Sequence, residues 1–343
     1  MNDIRLKEIT EHYSQLSVAV IGDYCLDRYL EIDPSRTEVS IETGLEVFNI
    51  TNVRSQPGGC GTVLNNLIAL GCCNLFPVGF VGQDGEGYEL LRSLNTNESV
   101  NLKYFLQTSE RRTFTYCKPL VMDGIRAPRE LNRFDSKNWT NTPEVVQNQL
   151  AESIIKLSTQ VDVMVLLGQV DQVETGVLCS RVLEALHQVR EEHPELLIIA
   201  DSRCGFAHFP NVCLKMNRVE FQSMINASDD MQIPELMREI SNFSNQKGQG
   251  VFVSLSEDGI AGAFPDIAAQ HVAGLPCSGN EIDVVGAGDA VMANLALALA
   301  SNASSLEAMR IAMAAASIVV RQLGTTGVAT INDIAPLLKY SDY

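Results

Sequence analysis

Three apolar runs, each the length of one β-strand, constrain the possible fold most strongly. They are Ser17–Gly22, Val161–Gly168 and Leu196–Asp201, and within them residues 18–22, 163–168 and 196–200 are continuously apolar rather than alternating. Continuous runs of this kind predict strands that are covered on both faces, as in parallel sheets between helix layers. The segments between them are long enough for helical connections. The sequence therefore predicts an α/β fold, a doubly wound and mostly parallel sheet flanked by helices.

Composition limits the class of protein and its partners. The chain has 343 residues, 45% of them hydrophobic, enough for one large domain over residues 1–343. Its 25 Lys and Arg against 42 Asp and Glu give a net charge of -17, which disfavours nucleic acid and anionic membranes as partners. No apolar run approaches the roughly 20 residues of a membrane span. Nine scattered cysteines without a CxxC pair indicate reduced thiols, and we expect a cytoplasmic protein.

Two segments interrupt the alternation of strands and helices. Residues of about 29–54 and 110–135 contain short alternating stretches, and the second turns at Asp123-Gly124. Asp-Gly between two alternating runs is typical of a β-hairpin. The two segments are therefore predicted to be antiparallel inserts.

A glycine-rich segment precedes an Ala- and Leu-rich helical run near the C-terminus. Gly286-Ala287-Gly288 predicts a turn that brings backbone N–H groups to the first turn of a helix, which is a favourable position for an anion. Asp289 follows directly, where it can cap the helix or act as a general base beside a bound phosphate. A glycine loop with an ordinary capping Asp has the same pattern.

Polar residues also follow the first strand. Gly22-Asp23 ends it, Asp27 comes four residues later, and the turn Pro57-Gly58-Gly59 opens a predicted helix. Acidic residues at the carboxyl ends of strands face the crevice where α/β sheets bind ligands. A ligand site at this edge is therefore expected.

Taken together, these motifs resemble the PfkB/ribokinase family of sugar kinases. The resemblance runs from about residue 17 to residue 330 and rests on the Gly58-Gly59 turn, Asn217-x-x-Glu220 and the stretch Asp283-Val284-Val285-Gly286-Ala287-Gly288-Asp289, in the family's order. Within the family, the chain is most similar to the branch of kinase domains that phosphorylate heptose 7-phosphate in ADP-heptose synthesis.

The resemblance implies a ribokinase-like fold with a small β-sheet lid over the sugar, formed by the two inserts, and a homodimer through that lid. It implies an ATP-dependent transfer to a sugar or sugar phosphate, with Asp289 as the base and the backbone of Gly286, Ala287 and Gly288 holding the phosphoryl group. The implied substrate-binding residues are Asp27, Gly58, Gly59, Thr62 and Arg133. The implied nucleotide-site residues are Asn217, Glu220, Ser256, Gly259, Asp283 and Gly324. Asn217 and Glu220 would support Mg²⁺ through water, and a monovalent cation such as K⁺ is an additional candidate.

Two positions depart from the family pattern. Thr62 stands where the family has an Asn that contacts the sugar, and Val285 stands where the signature has Thr. These departures keep open a degenerate family member that binds a ligand without catalysis, and a nucleoside kinase of the same fold is a further alternative. Arg112 or Arg133 is expected either to neutralise a substrate phosphate or to form a salt bridge within the lid. A Rossmann dehydrogenase is disfavoured because no G-x-G-x-x-G follows the first strand.

Overall fold

A computed structural model describes residues 1–124, 128–228, 230–276 and 282–339. Its strands are β1 (Ser17–Gly22), β2 (Tyr24–Val39), β3 (Glu46–Gly59), β4 (Asn74–Gly82), β5 (Phe105–Thr108), β6 (Phe114–Val121), β7 (Arg129–Glu130), β8 (Phe134–Ser136), β9 (Val163–Gly168), β10 (Leu197–Ser202), β11 (Cys213–Asn217), β12 (Val251–Ser254), β13 (Ile260–Phe264) and β14 (Ile267–Val272). Its α-helices are α1 (Asp3–Thr10), α2 (Cys60–Ala69), α3 (Gly85–Leu94), α4 (Glu144–Leu157), α5 (Ser180–Glu192), α6 (Arg218–Met224), α7 (Ile233–Lys247), α8 (Ala287–Ala300), α9 (Ser305–Val319) and α10 (Ile331–Leu338).

The main sheet has nine strands in the order β14-β13-β12-β11-β10-β9-β1-β4-β5. The seven strands from β12 to β5 are parallel to their neighbours, and β13 and β14 are antiparallel. Strands β1 and β9 are buried along almost their whole length, because helices cover both faces of the sheet. The predicted doubly wound α/β fold is confirmed.

The strand order reverses at β1, which lies between β4 and β9. Crevices at such switch points, outside the carboxyl ends of the strands, are where open α/β sheets bind ligands. Here the buried carboxylate of Asp23 accepts hydrogen bonds from the N–H groups of Gln169, Val170 and Val177, at 2.8–3.2 Å. The side chain that ends β1 thus fixes the loop after β9 and shapes the crevice.

Strands β2, β3, β6, β7 and β8 form a second sheet. The hairpin of β2 and β3 runs from Tyr24 to Gly59, so both strands extend beyond the predicted insert of about residues 29–54 and include Asp27, Gly58 and Gly59. Strand β6 pairs parallel with β2 and antiparallel with β7 and β8. Residues 125–127 of the other insert lie outside the described residues. Because β2 begins at Tyr24, directly after β1 and Asp23, the second sheet follows the main sheet without a separate linker.

The helices within the four described ranges are each too short or too polar to cross a bilayer.

Candidate active site

The glycine-rich segment forms the N-terminal end of α8, as predicted from the sequence. Gly286 is the N-cap residue and has φ 85°, and an added Cβ there would lie 3.3 Å from Cβ of Thr326, so a side chain would be strained. Among the described residues, the N–H groups of Gly288 and Asp289 have no backbone acceptor, whereas Ala287 N donates to Val284 O at 3.2 Å. Within the described part of the chain the N–H groups of Gly288 and Asp289 are thus available as donors, whereas the donor predicted at Ala287 is already used within the turn.

Asp283 braces this segment. Its carboxylate accepts from Val285 N and from Gly324 N, each at 3.0 Å, and Asp283 N donates to Val320 O at 2.8 Å. Both Asp283 and Gly324 therefore hold the glycine-rich segment in place through the backbone. The Val285 side chain is half-exposed, and only its N–H takes part in this brace.

Asp289 lies in the first turn of α8, and burial raises its pKa to about 7, although Lys215 acts to lower the pKa. Lys215 in β11 is buried, and its Nζ lies 2.6 Å from Oδ2 of Asp201 at the end of β10. A Cβ added to Gly288 would be 3.2 Å from the same Nζ. The ammonium thus lies directly below the first turn of α8.

Lys215 was not among the site residues predicted from the sequence. Its only signal was a single Lys inside the buried strand Cys213–Asn217, and a buried Lys normally has an acidic partner. Burial lowers the pKa of Lys215, but the carboxylates of Asp201, Asp289 and Glu220 raise it by a larger amount. The Asp201–Lys215 pair thus joins two strand ends to the glycine-rich segment.

Asp27 in β2 is also paired. Its Oδ1 lies 3.1 Å from Nζ of Lys118 in β6, and both side chains are largely buried. A Cβ at Gly58 would lie 2.4 Å from Oδ2 of Asp27, and one at Gly59 would lie 2.4 Å from Asp23 O, so neither position has room for a side chain. Lys118 was missed by sequence analysis because nothing in the chain order places it beside Asp27.

Thr62 in α2 is 1% exposed. Within the described residues its Oγ1 has no hydrogen-bond partner, and its carbonyl accepts from Asn66 Nδ2 at 2.9 Å. The side chain is therefore buried in α2 rather than lining an open part of the crevice.

Asn217 and Glu220 form the capping box of α6. Asn217 Oδ1 accepts from Glu220 N at 2.9 Å, and Glu220 Oε2 accepts from Asn217 N at 2.8 Å. This reciprocal arrangement is a sufficient structural reason for the Asn-x-x-Glu pattern. The described residues contain no direct metal-binding cluster of three or more acidic, His or Cys side chains.

The charges around Lys215 nevertheless fit a hydrated Mg²⁺. Three carboxylates, those of Asp201, Glu220 and Asp289, act on the buried ammonium of Lys215, so this position is rich in carboxylate oxygens. Mg²⁺ prefers oxygen ligands and keeps several of its waters, so it does not need a closed protein cage.

Several cations lie around Tyr116 of the second sheet. Arg133 is half-exposed and pairs with Asp135 at 3.2 Å, with its guanidinium 5.1 Å from the Tyr116 ring centroid. The salt bridge expected as one role of Arg133 is therefore present. Lys137 pairs with Asp171 at 2.6 Å, and Arg203 Nη1 donates to Gln169 O at 3.2 Å. This cluster thus has three basic side chains against the two acidic ones of Asp135 and Asp171.

A cleft of about 470 Å³ lies beside the glycine-rich segment. Its lining is mainly apolar and includes Ser256, Gly259, Val284, Gly288 and Met313. An apolar cleft with a few polar groups and a helix N-terminus at one side suits a nucleotide. The structure thus brings Ser256 and Gly259, which were predicted as nucleotide-site residues, next to the start of α8.

Comparison with known proteins agrees with this geometry. Residues 16–331 match the pfkB family carbohydrate kinases. Bifunctional protein HldE of Gluconobacter oxydans is 30% identical over 315 residues, 91% of this chain and 62% of that protein. HldE of Trichlorobacter lovleyi is 27% identical over 96% of this chain and 64% of its own length. The chain therefore spans less than two thirds of the length of these curated relatives. The similarity to the heptose-7-phosphate kinase branch that was predicted from the sequence is confirmed.

Solved structures show the same fold. Phosphofructokinase-2 from Escherichia coli, in complex with substrates and products, has a TM-score of 0.69 and 20% identity, covering 96% of this chain and 100% of that one. Ribokinase from Arabidopsis thaliana, complexed with ribose and ATP, has a TM-score of 0.66 and 19% identity, covering 95% and 99%. The family match over most of the chain decides the assignment: the protein belongs to the pfkB family of carbohydrate kinases.

Proposed function

We propose that the protein transfers the γ-phosphoryl group of ATP to a hydroxyl of a sugar or sugar phosphate. The observation that carries this proposal is Asp289, a carboxylate with a pKa near 7 in the first turn of a helix whose N–H groups at Gly288 and Asp289 have no backbone acceptor in the described chain. A base with a pKa near the working pH is well suited to accept a hydroxyl proton, and the adjacent donors suit a phosphoryl oxygen.

In the proposed reaction, the acceptor hydroxyl oxygen forms a bond to the γ-phosphorus while the bond from that phosphorus to the β-phosphate oxygen breaks. The hydroxyl proton moves to Asp289, and ADP leaves. Phosphoryl transfer needs mainly positioning and neutralisation of charge. The N–H groups at the start of α8 would hold the transferring group, and Asp27 with Gly58 and Gly59 would position the sugar.

Magnesium would neutralise charge on the ATP phosphates when bound. Glu220, with Asn217, would hold its water shell, while Ser256, Gly259, Asp283 and Gly324 would shape the nucleotide side of the site. Arg133 would balance an anionic group on the acceptor. Binding of a monovalent cation such as K⁺ and a cytoplasmic location both stay predictions.

A degenerate member that binds ligand without catalysis is the second candidate. The observation that favours it is the burial of Thr62, which leaves the position of the family's sugar-contacting Asn without an exposed polar group. Asp289, the neighbouring N–H groups without an acceptor in the described ranges, and the Asp201–Lys215 pair favour catalysis instead.

Release of ADP from ATP and Mg²⁺ over a panel of heptose 7-phosphate, fructose 6-phosphate, ribose and adenosine tests the proposal. We expect turnover with a sugar or a sugar phosphate. Because Thr62 offers one buried hydroxyl in place of an amide, heptose 7-phosphate is expected to be a poor substrate, and Thr62→Asn should improve it. Binding of one of these compounds without any ADP release would support the degenerate member.

The role of Glu220 in magnesium binding can be separated from its role in the helix cap. Glu220→Gln keeps a side chain that completes a capping box but removes the charge next to the proposed Mg²⁺ waters. We expect the Mg²⁺ concentration for half-maximal activity to rise severalfold while the melting temperature changes little. Asp333→Asn, in the capping box of α10, is the matched control. An unchanged magnesium titration would leave Glu220 with a capping role alone.

We also propose a homodimer through the second sheet. Its strands and hairpin carry exposed apolar side chains at Val39, Ile41, Leu45, Phe48, Ile50, Val53 and Phe134, and a cleft of about 730 Å³ on this sheet is lined by Leu30, Ile32, Phe48, Ile50, Pro119 and Leu131 among others. Exposed apolar side chains in such number mark interaction sites, and sheet edges favour pairing.

Sedimentation at micromolar concentration is expected to show a dimer. Ile50→Glu should shift it towards the monomer, because it places a charge in the apolar cleft. Val145→Glu, on the exposed side of α4 and outside the second sheet, is the control and should sediment like the unmodified protein. A monomeric unmodified protein would refute the interface.

A further inference from the structure

Gln56 links the second sheet to the loop that supports the anion site. Its Nε2 donates to Thr326 Oγ1 at 2.9 Å, and its Oε1 accepts from Thr325 Oγ1 at 2.9 Å. Both ends of one amide are thus bound to two adjacent residues some 270 positions away in the chain. All three side chains are partly buried, so these hydrogen bonds are shielded from water on one side.

On the sheet side, Gln56 lies directly opposite Asp27 in the register of β2 and β3. Opposite residues place their side chains on the same face, and Tyr29, two residues from Asp27, shares that face. Gln56 Nε2 lies 3.4 Å from the Tyr29 hydroxyl, and Lys118 Nζ lies 3.4 Å from the same hydroxyl and 3.1 Å from Asp27 Oδ1. A continuous set of polar contacts therefore runs from the Asp27 carboxylate to Gln56.

On the other side, the loop of Thr325 and Thr326, here called the threonine loop, supports the start of α8. Thr326 packs against Gly286, where a Cβ would be 3.3 Å from the threonine Cβ. Gly324, next to Thr325, donates its N–H to Asp283, which also accepts from Val285 N. A shift of Thr325 and Thr326 would therefore change the position of the N–H donors that follow Gly286.

We propose that Gln56 is a positioning residue that couples occupancy of the acceptor site at Asp27 to the placement of the anion-binding segment at Gly286–Asp289. A ligand that engages Asp27 changes the contacts of Lys118 and Tyr29, and the Gln56 amide passes that change to the loop of Thr325 and Thr326. Binding of the acceptor and of the nucleotide then favour each other, because both stabilise one arrangement of the loop. This inference rests on the proposed kinase function for the identity of the two ligands.

Three variants test the coupling. Gln56→Leu keeps the size of the side chain and removes both of its hydrogen-bonding ends, and Thr326→Val removes one acceptor with little change of shape. Asn52→Leu is the matched control, since Asn52 is an amide in the same strand that donates to Glu31 on an exposed part of the sheet. The probes are the non-hydrolysable analogue AMP-PNP with Mg²⁺, and heptose 7-phosphate or whichever acceptor turns over in the panel.

Calorimetry should show AMP-PNP binding about fivefold or more tighter when the acceptor is present, a usual size for coupling between two sites. In Gln56→Leu and Thr326→Val the ratio should fall towards one, and in Asn52→Leu it should be unchanged. A ratio of one in the unmodified protein, or an unchanged ratio in Gln56→Leu, would overturn the proposal.

Hydrogen exchange without ligand provides an arm that does not depend on the kinase reaction. The N–H groups of Val285 and Gly324, which both donate to Asp283, should exchange faster in Gln56→Leu than in Asn52→Leu. Faster exchange in a protein that phosphorylates no acceptor would support the structural link and refute the proposed function. Unchanged exchange in an active kinase would refute the link and leave the function intact.

Discussion

Asp289→Asn should lower kcat by about 10²-fold or more, the usual contribution of a positioned general base. Asparagine is nearly the same size as aspartate and keeps the position in the first turn of α8, but it cannot accept the acceptor's proton. Binding of AMP-PNP should be largely preserved, because the N–H donors of this turn belong to the backbone. Steady-state kinetics and calorimetry on the same preparation measure the two effects separately.

The pH dependence gives this prediction a second, independent readout. Because burial raises the pKa of Asp289 to about 7, the unmodified enzyme should gain activity as the pH rises through 7 and level off above about 8. The residual activity of Asp289→Asn should lack that rise. Near-normal turnover in the variant, or the same pH profile, would contradict the assignment of the base.

Stability provides the control against a misfolded variant. The folded protein holds the Asp289 proton up to about pH 7, whereas the unfolded chain loses it near pH 4, so the unmodified protein loses stability between these values as the pH rises. Asp289→Asn has no such ionisation. At pH 8 the variant should therefore unfold at the same temperature as the unmodified protein or at a higher one.

Lys215→Met is expected to lower the free energy of unfolding by about 3 kcal/mol or more, because removing one member of a buried ion pair leaves the other charge uncompensated. Asp201 would lose its partner at 2.6 Å, and both side chains are largely buried. The activity should also rise at higher pH than in the unmodified enzyme, since Lys215 lowers the pKa of Asp289. Urea denaturation and a kcat/KM profile from pH 6 to 9 measure the two effects.

Lys137→Met is a matched control, because Lys137 and Asp171 are also 2.6 Å apart but much more exposed. An exposed pair contributes about 1 kcal/mol or less to stability, so the free energy of unfolding of this variant should stay close to that of the unmodified protein. The double variant Lys215→Met with Asp201→Leu removes both charges and should recover much of the lost stability. If Lys215→Met lost no more stability than Lys137→Met, the buried Asp201–Lys215 pair would contribute no more to the free energy of unfolding than an exposed pair does.

Local patterns in the sequence were sufficient for the framework of the protein. The continuous apolar runs predicted β1, β9 and β10, because a strand covered on both faces has no polar side. The glycine-rich segment predicted the start of α8, since only glycine adopts the φ of 85° found at Gly286 without strain. Each of these features depends only on residues that are close together in the chain, so the short stretch of sequence that contains it is enough to predict it.

Side-chain partners between distant elements were decided by the tertiary structure alone. Nothing in the chain order pairs Lys118 with Asp27, Lys215 with Asp201, or Gln56 with the threonine loop. The alternation of a strand fixes which face a residue occupies, but the register with the next strand and the packing of the sheets fix which side chain it meets.

The Asn217-x-x-Glu220 pattern is a second case in which the sequence alone did not determine the role of the residues. Their spacing was visible in the sequence, but the capping box that it forms became apparent only with the helix in place. Spacing along the chain determined which residues can interact within one turn. The charged groups around Asp289 and Lys215, and hence the raised pKa of Asp289, come from residues that the fold brings together from separate strands and helices.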